Sequence, residues 1–485
     1  MSLEIIKKKT DAVYYIKILI MLLLMGGFGY LPAIEPLSDI GMRTLGIFLG
    51  ALFGWCFIGI LMPSIFAMMA MVLFEVNTVS QVMSTGWGNK TTMLIFFMMV
   101  IAALTKQSGV SNFLAVYFIS KKWVLGKPWL FTLTFLLTTY FIAAFTATIP
   151  SILVCWAIFY GVCEYVGYEK HETFPTYMVI CIVIVATIGT ALFPFKLVGV
   201  LVFGMLKNLS GIDVDYATYT AFTLIIGLLS TAVLPVMGKF IFRIDVSKLQ
   251  SLTEDAFRNV NLSLTKIQKA VIFFMLALVF LLLLPSFLPE SSFMYVILKR
   301  FDSVGIAAVL IGIMCMIRIE GEPILDFRKV ASGGIQWDVL FLTATVMPLS
   351  SVIGAEESGI TQLLVNILSP ILAGKSAFVF LSLVVVMSII CTQFCVNNVV
   401  GAMLLPVFYP FSLQLGIKPL AVAALLAYSC HFALLTPSAS PMAALLYGNS
   451  EWCTVKDIIR YGVPIIIVSA LVCCIVGIPL CQIIL

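Results

Sequence analysis

The sequence predicts an all-α polytopic membrane protein: about 11 transmembrane helices plus two re-entrant helical hairpins, arranged as two inverted repeats. Three observations carry that expectation. Apolar residues make up 62% of the 485 and charged residues 11%, with mean hydropathy +1.13, whereas soluble domains are about half apolar and a quarter charged. Apolar runs approaching the roughly 20 residues that span a bilayer recur along the whole length. Finally, one order of interruptions appears twice, about 250 residues apart, which is the pattern of an inverted-repeat carrier.

The first run, 13–31, follows Lys7, Lys8 and Lys9. It is longer than a signal-peptide core and no small-residue cleavage site follows, so 1–34 reads as a retained transmembrane helix. The first repeat, 43–242, contains runs at 43–57, 59–74 and 93–118, then a hairpin at 128–160 (arms 128–145 and 149–160), a broken helix at 177–206 and a run at 221–242. A polar loop, 243–269, separates it from the second repeat, 270–485. That repeat contains runs at 271–287, 304–317 and 337–353, a hairpin at 377–413 (arms 377–395 and 400–413), a broken helix at 420–446 and a last span at 463–485. Each repeat makes five crossings, so the second copy runs upside down relative to the first.

Basic residues report orientation. One set of loops holds Lys121, Lys122 and Lys127, then Arg243, Lys248, Arg258, Lys266 and Lys269, then Arg318, Arg328 and Lys329, then Lys456 and Arg460. The opposite set holds chiefly Arg43, Lys207, Lys299, Arg300 and Lys418. The bias predicts an integral protein of the cell membrane with a cytoplasmic N-terminus and an external C-terminus. The net charge of +5 is scattered over loops rather than gathered on a face, which argues against a nucleic-acid partner. The twelve cysteines are mostly solitary within apolar runs and read as small buried hydrophobes, with no metal-site spacing; Cys391 and Cys395 stand four apart on a predicted helix.

The two hairpins break at "FTATIP" (145–150) and "VNNVV" (396–400). Gly109 stands nearly as far ahead of the first break as Gly359 does ahead of the second, and Pro194 and Pro441 interrupt the next helix in each half. Where half-helices meet tip to tip at the midplane, free N–H groups and positive dipole ends converge, offering an anion partners that lipid does not. The bland alternative, a proline kink plus an asparagine-mediated helix contact, explains either break alone but not the repeat-related pair.

The stretch "QFCVNNVVGAMLLPVFYPFSLQLGIKPLAVAALLAYSCHFALLTPSASPMAALLYGNSEW" (393–452), with "IQWDVLFLTATVMPLSSVIGAEESGI" (335–360), resembles the divalent anion/sodium symporters of the ion-transporter superfamily. The resemblance implies two re-entrant hairpins, a homodimer built on a scaffold domain, and elevator-like movement of a transport domain carrying small di- or tricarboxylates. The family's Ser-Asn-Thr tips fall on Ala144, Phe145 and Thr146 and on Val396, Asn397 and Asn398, so only Thr146 and Asn397 keep the family's residue. A Thr-Pro-Pro-Asn break falls on Ser440, Pro441, Met442 and Ala443, and in the first half on Phe193, Pro194, Phe195 and Lys196. Sodium is a hard cation that takes several oxygens, and these departures remove side-chain oxygens from both tips. The expectation is therefore a sodium-independent exchanger or a proton-coupled carrier, with no cofactor and no metal, and a sodium-coupled dicarboxylate symporter as the alternative.

Lys196 lies deep in an apolar stretch, where a lysine costs roughly 2.5–3.5 kcal/mol and calls for a partner or an aqueous cavity. It reads as a tethered cation standing where relatives hold sodium; the competing reading is a structural lysine paired with Glu356 or Asp338. Substrate contacts are expected from Thr146, Thr148, Asn397, Asn398, Ser438 and Ser440, which flank the breaks. Asp338 suits the N-terminal dipole of a helix, Lys90, Lys106 and Glu356 lie near helix ends, and His431 reads as a packed, hydrogen-bonded ring. With two distant histidines and no "HExxH" or "GxSxG" stretch, an enzyme is not expected. A channel would share the bundle without requiring paired broken helices. Other carriers of the superfamily, for sulfate or arsenite, share the expected architecture.

Overall fold

The computed structural model of the chain describes residues 2–119, 124–253, 263–372, 376–437 and 439–485; Lys121, Lys122, Arg258 and Ser438 lie outside the described residues. The first part of the chain forms α1 (Ser2–Gly27), α2 (Asp39–Phe57), α3 (Leu61–Leu73), α4 (Val79–Gly86), α5 (Lys90–Ser108), α6 (Val110–Ile119), α7 (Pro128–Phe145), α8 (Thr148–Val166), α9 (Thr173–Thr190), α10 (Leu197–Ser210) and α11 (Tyr216–Val236). The remainder forms α12 (Lys266–Leu283), α13 (Phe293–Met316), a two-residue ribbon β1 (Arg318–Ile319) with β2 (Glu322–Pro323), α14 (Phe327–Gly334), α15 (Trp337–Gly354), α16 (Ile360–Leu372), α17 (Ala377–Cys391), α18 (Asn397–Gln414), α19 (Pro419–Ser429), α20 (Pro441–Gly448), α21 (Val455–Val472) and α22 (Ile478–Ile484). Ten helical stretches among the described residues are long and apolar enough to cross a membrane; Leu61–Leu73, Leu197–Ser210, Ala377–Cys391 and Pro419–Ser429 are apolar but shorter.

The halves run through the same series. In each, two helices are followed by a short helix (α4, α14), a long one (α5, α15), a glycine, another helix (α6, α16), a hairpin (α7–α8, α17–α18), two half-helices (α9–α10, α19–α20) and a closing span (α11, α21). The backbone repeats in detail: Gly109 and Gly359, which precede α6 and α16, both adopt the left-handed conformation, at φ +71° and +69°, which glycine adopts without steric cost. An alanine at Gly359 would also drive its Cβ to 1.9 Å from the Pro36 carbonyl oxygen.

Burial explains which elements are central. Every residue of α9 from Phe174 to Gly189 and of α19 from Ala421 to Ser429 is buried. A helix apolar on all sides can be solvated by protein or lipid alone, and these two sit within the protein. By contrast α1 is peripheral, and α12 turns Phe273, Leu276 and Phe280 outward. Close packing uses small residues: Gly46, Gly50 and Gly54 let α2 approach Phe28 and Met25, and Pro63 of α3, and a Cβ on Gly189 would lie 2.3 Å from the Tyr140 carbonyl oxygen, so α9 lies backbone to backbone on α7. Side chains cap helices at the loops, with Ser38, Thr78, Thr265 and Thr454 serving α2, α4, α12 and α21.

The structure corrects several expected elements. The run 93–118 is two helices divided at Gly109, and the loop expected between 353 and 377 contains α16. The helix expected at 304–317 starts at Phe293, so Lys299 and Arg300 lie on α13 rather than in a loop; α13 also bends where Asp302 turns to φ 57°, ψ 175°. Cys395 lies beyond the end of α17 rather than on it. Lys456 and Arg460 likewise lie on α21.

Candidate anion site at two helix breaks

Both breaks exist. The first hairpin turns at Thr146 and Ala147, whose backbones are extended between α7 and α8. Pro150, in the first turn of α8, occupies a position where a missing N–H costs nothing. The Thr146 hydroxyl lies 2.7 Å from both the Ile142 carbonyl and the Ser151 hydroxyl, and the Thr148 hydroxyl is 2.8 Å from that of Thr190 at the end of α9. Beyond α9 the chain is unwound over 191–196, around Pro194. Phe193 contacts Phe145, stacks on Phe195, and Phe195 meets Tyr216, with ring centroids 5.4, 4.9 and 6.0 Å apart.

Lys196 sits at the end of this unwound segment as the N-cap residue of α10. Its ammonium donates to the Thr146 carbonyl oxygen at 3.0 Å. The lysine of the first broken helix therefore rests on the tip of the first hairpin. Glu356 and Asp338, the alternative partners, are exposed on other elements, and none of the ion pairs among the described residues involves Lys196. One of its three donors is engaged by protein.

The second break is held by a residue the sequence reading passed over. Gln393, in the turn after α17, donates through Nε2 to the Ile389 and Phe432 carbonyls at 2.8 and 2.6 Å, and its Oε1 accepts from the Leu434 and Leu435 N–H groups at 3.1 and 2.9 Å. The Thr436 hydroxyl donates to the Gln393 carbonyl. The Thr392 hydroxyl reaches both the Cys430 carbonyl, at 2.9 Å, and Asn397 Oδ1, at 3.0 Å. Together these bonds fasten the second tip to the unwound segment 430–437. A glutamine inside an otherwise apolar run was the available signal.

The expected contact residues divide sharply. The Ser440 hydroxyl caps α20 by accepting from the Ala443 N–H at 3.0 Å, and the hydroxyls of Thr146 and Thr148 are bonded within the protein. Asn398 differs: it is buried, and its Oδ1 has no hydrogen-bond partner. His431 is buried, with Nδ1 2.8 Å from the Ala427 carbonyl, but it lies past the end of α19 rather than inside a helix.

Three helices start at these breaks without side-chain caps: α8 after Ala147, α10 after Lys196 and α18 after Val396. Helix α10 joins the tips. Its N-cap touches the first hairpin, and Val198 and Val202 lie 3.9 and 2.8 Å from where a Cβ on Gly401 of α18 would stand. Uncapped N–H groups, an ammonium and an amide can together partner an oxyanion.

The profile of the family described as "Sodium:sulfate symporter transmembrane region" matches residues 12–484. The chain belongs to that family. This is the divalent anion/sodium symporter group that residues 335–452 resemble. An uncharacterised transporter of Haemophilus influenzae is 23% identical over 45% of this chain and 46% of its own length. One from Methanocaldococcus jannaschii is 30% identical over 36% and 37%, and the "Sodium-dependent high-affinity dicarboxylate transporter 2" of Caenorhabditis elegans is 23% identical over 33% and 30%. The matches thus span less than half of those relatives. Among solved structures, the YdaH transporter of Alcanivorax borkumensis shares the fold, with a TM-score of 0.54 at 15% identity over 96% of this chain and 97% of that one.

Proposed function

We propose that this family member is a secondary active transporter of small organic anions, of the di- or tricarboxylate kind, that binds its substrate between the two hairpin tips with Lys196 as a built-in counter-ion. The observation that carries this reading is the Lys196 ammonium resting on the Thr146 carbonyl. A cation held by a backbone carbonyl at a hairpin tip does what a bound metal cation would do there, and it cannot leave. Remaining donors come from the free N–H groups of α8, α10 and α18, and polar selection comes from Asn397 and Asn398. Substrate would then travel with the hairpins and half-helices in an elevator-type cycle, in a homodimer with a cytoplasmic N-terminus, without a sodium gradient.

A second reading has its own observation. The unpartnered Oδ1 of Asn398 is an acceptor that a sodium ion at the second tip would satisfy, which would make the protein a sodium-coupled dicarboxylate or sulfate symporter. Purified protein in liposomes separates the two. Counterflow of labelled succinate, citrate and sulfate is measured in choline and in sodium buffers, for the wild type and for Lys196→Ala. We expect equal counterflow in both buffers and its loss in Lys196→Ala with unchanged size-exclusion behaviour. Uptake that requires an inward sodium gradient, or a fully active Lys196→Ala protein, would overturn the uncoupled reading.

A further inference from the structure

We infer that Cys56 and Cys395 form a reversible disulfide that fastens α2 to the tip of the second hairpin, a modification site that arrests transport. Cys56 is the penultimate residue of α2, and Cys395 lies in the turn between α17 and α18, 339 positions later. Their Sγ atoms are 2.8 Å apart, closer than the roughly 3.5–4.0 Å of ordinary packed heavy atoms. Closing to an S–S bond of about 2.05 Å needs only a small shift of side chains. Neither sulfur belongs to the anion site described above, and its chemistry does not call for them.

Accessibility narrows the choice to Cys56, Cys315, Cys391, Cys395 and Cys474, and contact singles out one pair. Most of the other thiols are buried, including Cys155, Cys163, Cys181, Cys430, Cys453, Cys473 and Cys481, whereas Cys56 and Cys395 are both half-buried. Their neighbours Phe57 and Phe394 are 58% and 64% exposed, so the contact lies at an outer edge of the protein rather than in its packed core. Among the described residues no other Sγ–Sγ contact occurs. Cys391, one turn earlier, is half-buried as well, but its sulfur makes no such contact.

The co-reactant is a two-electron oxidant of the peroxide class. One thiolate attacks a peroxide oxygen, the O–O bond breaks, and protonation releases the first water, leaving a sulfenic acid. The second sulfur then displaces that oxygen as a second water while the S–S bond forms. Two thiols and one hydrogen peroxide thus give one disulfide and two waters, and a dithiol reductant reverses the change.

The consequence follows from where the two sulfurs sit. Helix α2 packs on α1 and α3, while residues 392–398 form the tip that carries Asn397 and Asn398. A covalent tie between them prevents the tip from moving relative to α2; this part rests on the proposed elevator movement. The cross-link itself does not.

The test uses the full-length protein in liposomes, treated with hydrogen peroxide and then with dithiothreitol. Peptide mass spectrometry should find Cys56 joined to Cys395, with counterflow falling in proportion to the cross-linked fraction and returning on reduction. Cys56→Ser should transport normally and be indifferent to peroxide. Absence of the cross-link, or a Cys391–Cys395 link in its place, overturns the inference, and so does full counterflow in quantitatively cross-linked protein. If the reduced protein moves no anion at all, the transport reading fails while the peptide mass still decides the cross-link.

Discussion

A resident ammonium should make the empty carrier slow to return. With substrate gone, Lys196 keeps one bond, to the Thr146 carbonyl, and no ion-pair partner among the described residues. Carrying that charge through the apolar barrier costs about 2.5–3.5 kcal/mol on membrane-insertion scales. At about 1.4 kcal/mol per decade, the empty carrier should return roughly 60- to 300-fold more slowly than the carrier whose lysine is neutralised by a carboxylate. The assay compares initial uptake of labelled dianion into liposomes preloaded with the same unlabelled dianion and into empty ones, with membrane potential clamped at zero. Preloading should raise the rate by about two orders of magnitude on the same estimate. Lys196→Met, which removes the charge but keeps an unbranched stem, should abolish that ratio whatever activity it retains. Equal rates into empty and preloaded vesicles would refute the reasoning, because a charge that returns freely is either neutralised by protein or absent from the moving site.

Replacing Gln393 with Leu should lower the unfolding midpoint of the detergent-solubilised protein clearly: it orphans the buried Leu434 N–H, at about 1–3 kcal/mol, and the half-buried Leu435 N–H beside it, and an unchanged midpoint would show that the second tip is held by something else. Gly189→Val should prevent α9 from seating on α7, because even its Cβ would lie 2.3 Å from the Tyr140 carbonyl oxygen; folded yield by fluorescence size-exclusion should collapse, whereas Gly161→Ala, at a position with open space, should leave it intact. Burial alone would raise the Glu172 carboxyl, but bonds from the Glu169 N–H and from Lys248 outweigh it and hold it below the usual carboxylate range. Lys248 also bonds the Gly167 carbonyl, so the contribution of this clamp, up to about 1 kcal/mol for such an exposed pair, is present above the ordinary carboxylate pKa and lost as pH falls through the depressed one. Proteolysis of the segment between α11 and α12 should therefore accelerate on acidification, and Lys248→Ala should show the fast rate at neutral pH.

The parts of the fold that the sequence made legible are those dictated by lipid. The arms of the first hairpin begin and end near Pro128, Phe145 and Thr148 because an apolar run, a proline and a pair of threonines leave few alternatives. The span 337–353 was equally plain. What the hydropathy pattern does not show is amphipathic or glycine-divided structure. Val79–Gly86 and Phe327–Gly334 are short helices of mixed polarity, and Val110–Ile119 continues the apolar run of α5 across a left-handed glycine. At the site, Lys196 stood out because charge in an apolar run is costly, but its partner could not be read: a backbone carbonyl of Thr146 leaves no mark in the sequence. The role of Ser440 was likewise invisible, since a serine before a proline suits a ligand contact or a helix cap equally well.

The two halves have diverged in how each tip is fixed, and that difference bears on the chemistry. The first tip is held by few bonds, a hydroxyl pair between Thr148 and Thr190 and the Lys196 ammonium itself. The second is tied across to the unwound segment by Gln393 at three backbone groups and by Thr392 at a fourth. A rigid second tip presents the Asn398 amide in one fixed place, while the first keeps a cation on a flexible stem whose remaining donors can follow an oxyanion. On the proposed reading, attraction and shape selection belong to opposite repeats. If so, substitutions at Asn398 should change which dianions are accepted while leaving the salt dependence of binding alone, and substitutions at Lys196 should do the reverse, weakening all dianions together. A variant of Asn398 that lost every substrate equally would show that the second tip, too, serves as a charge anchor.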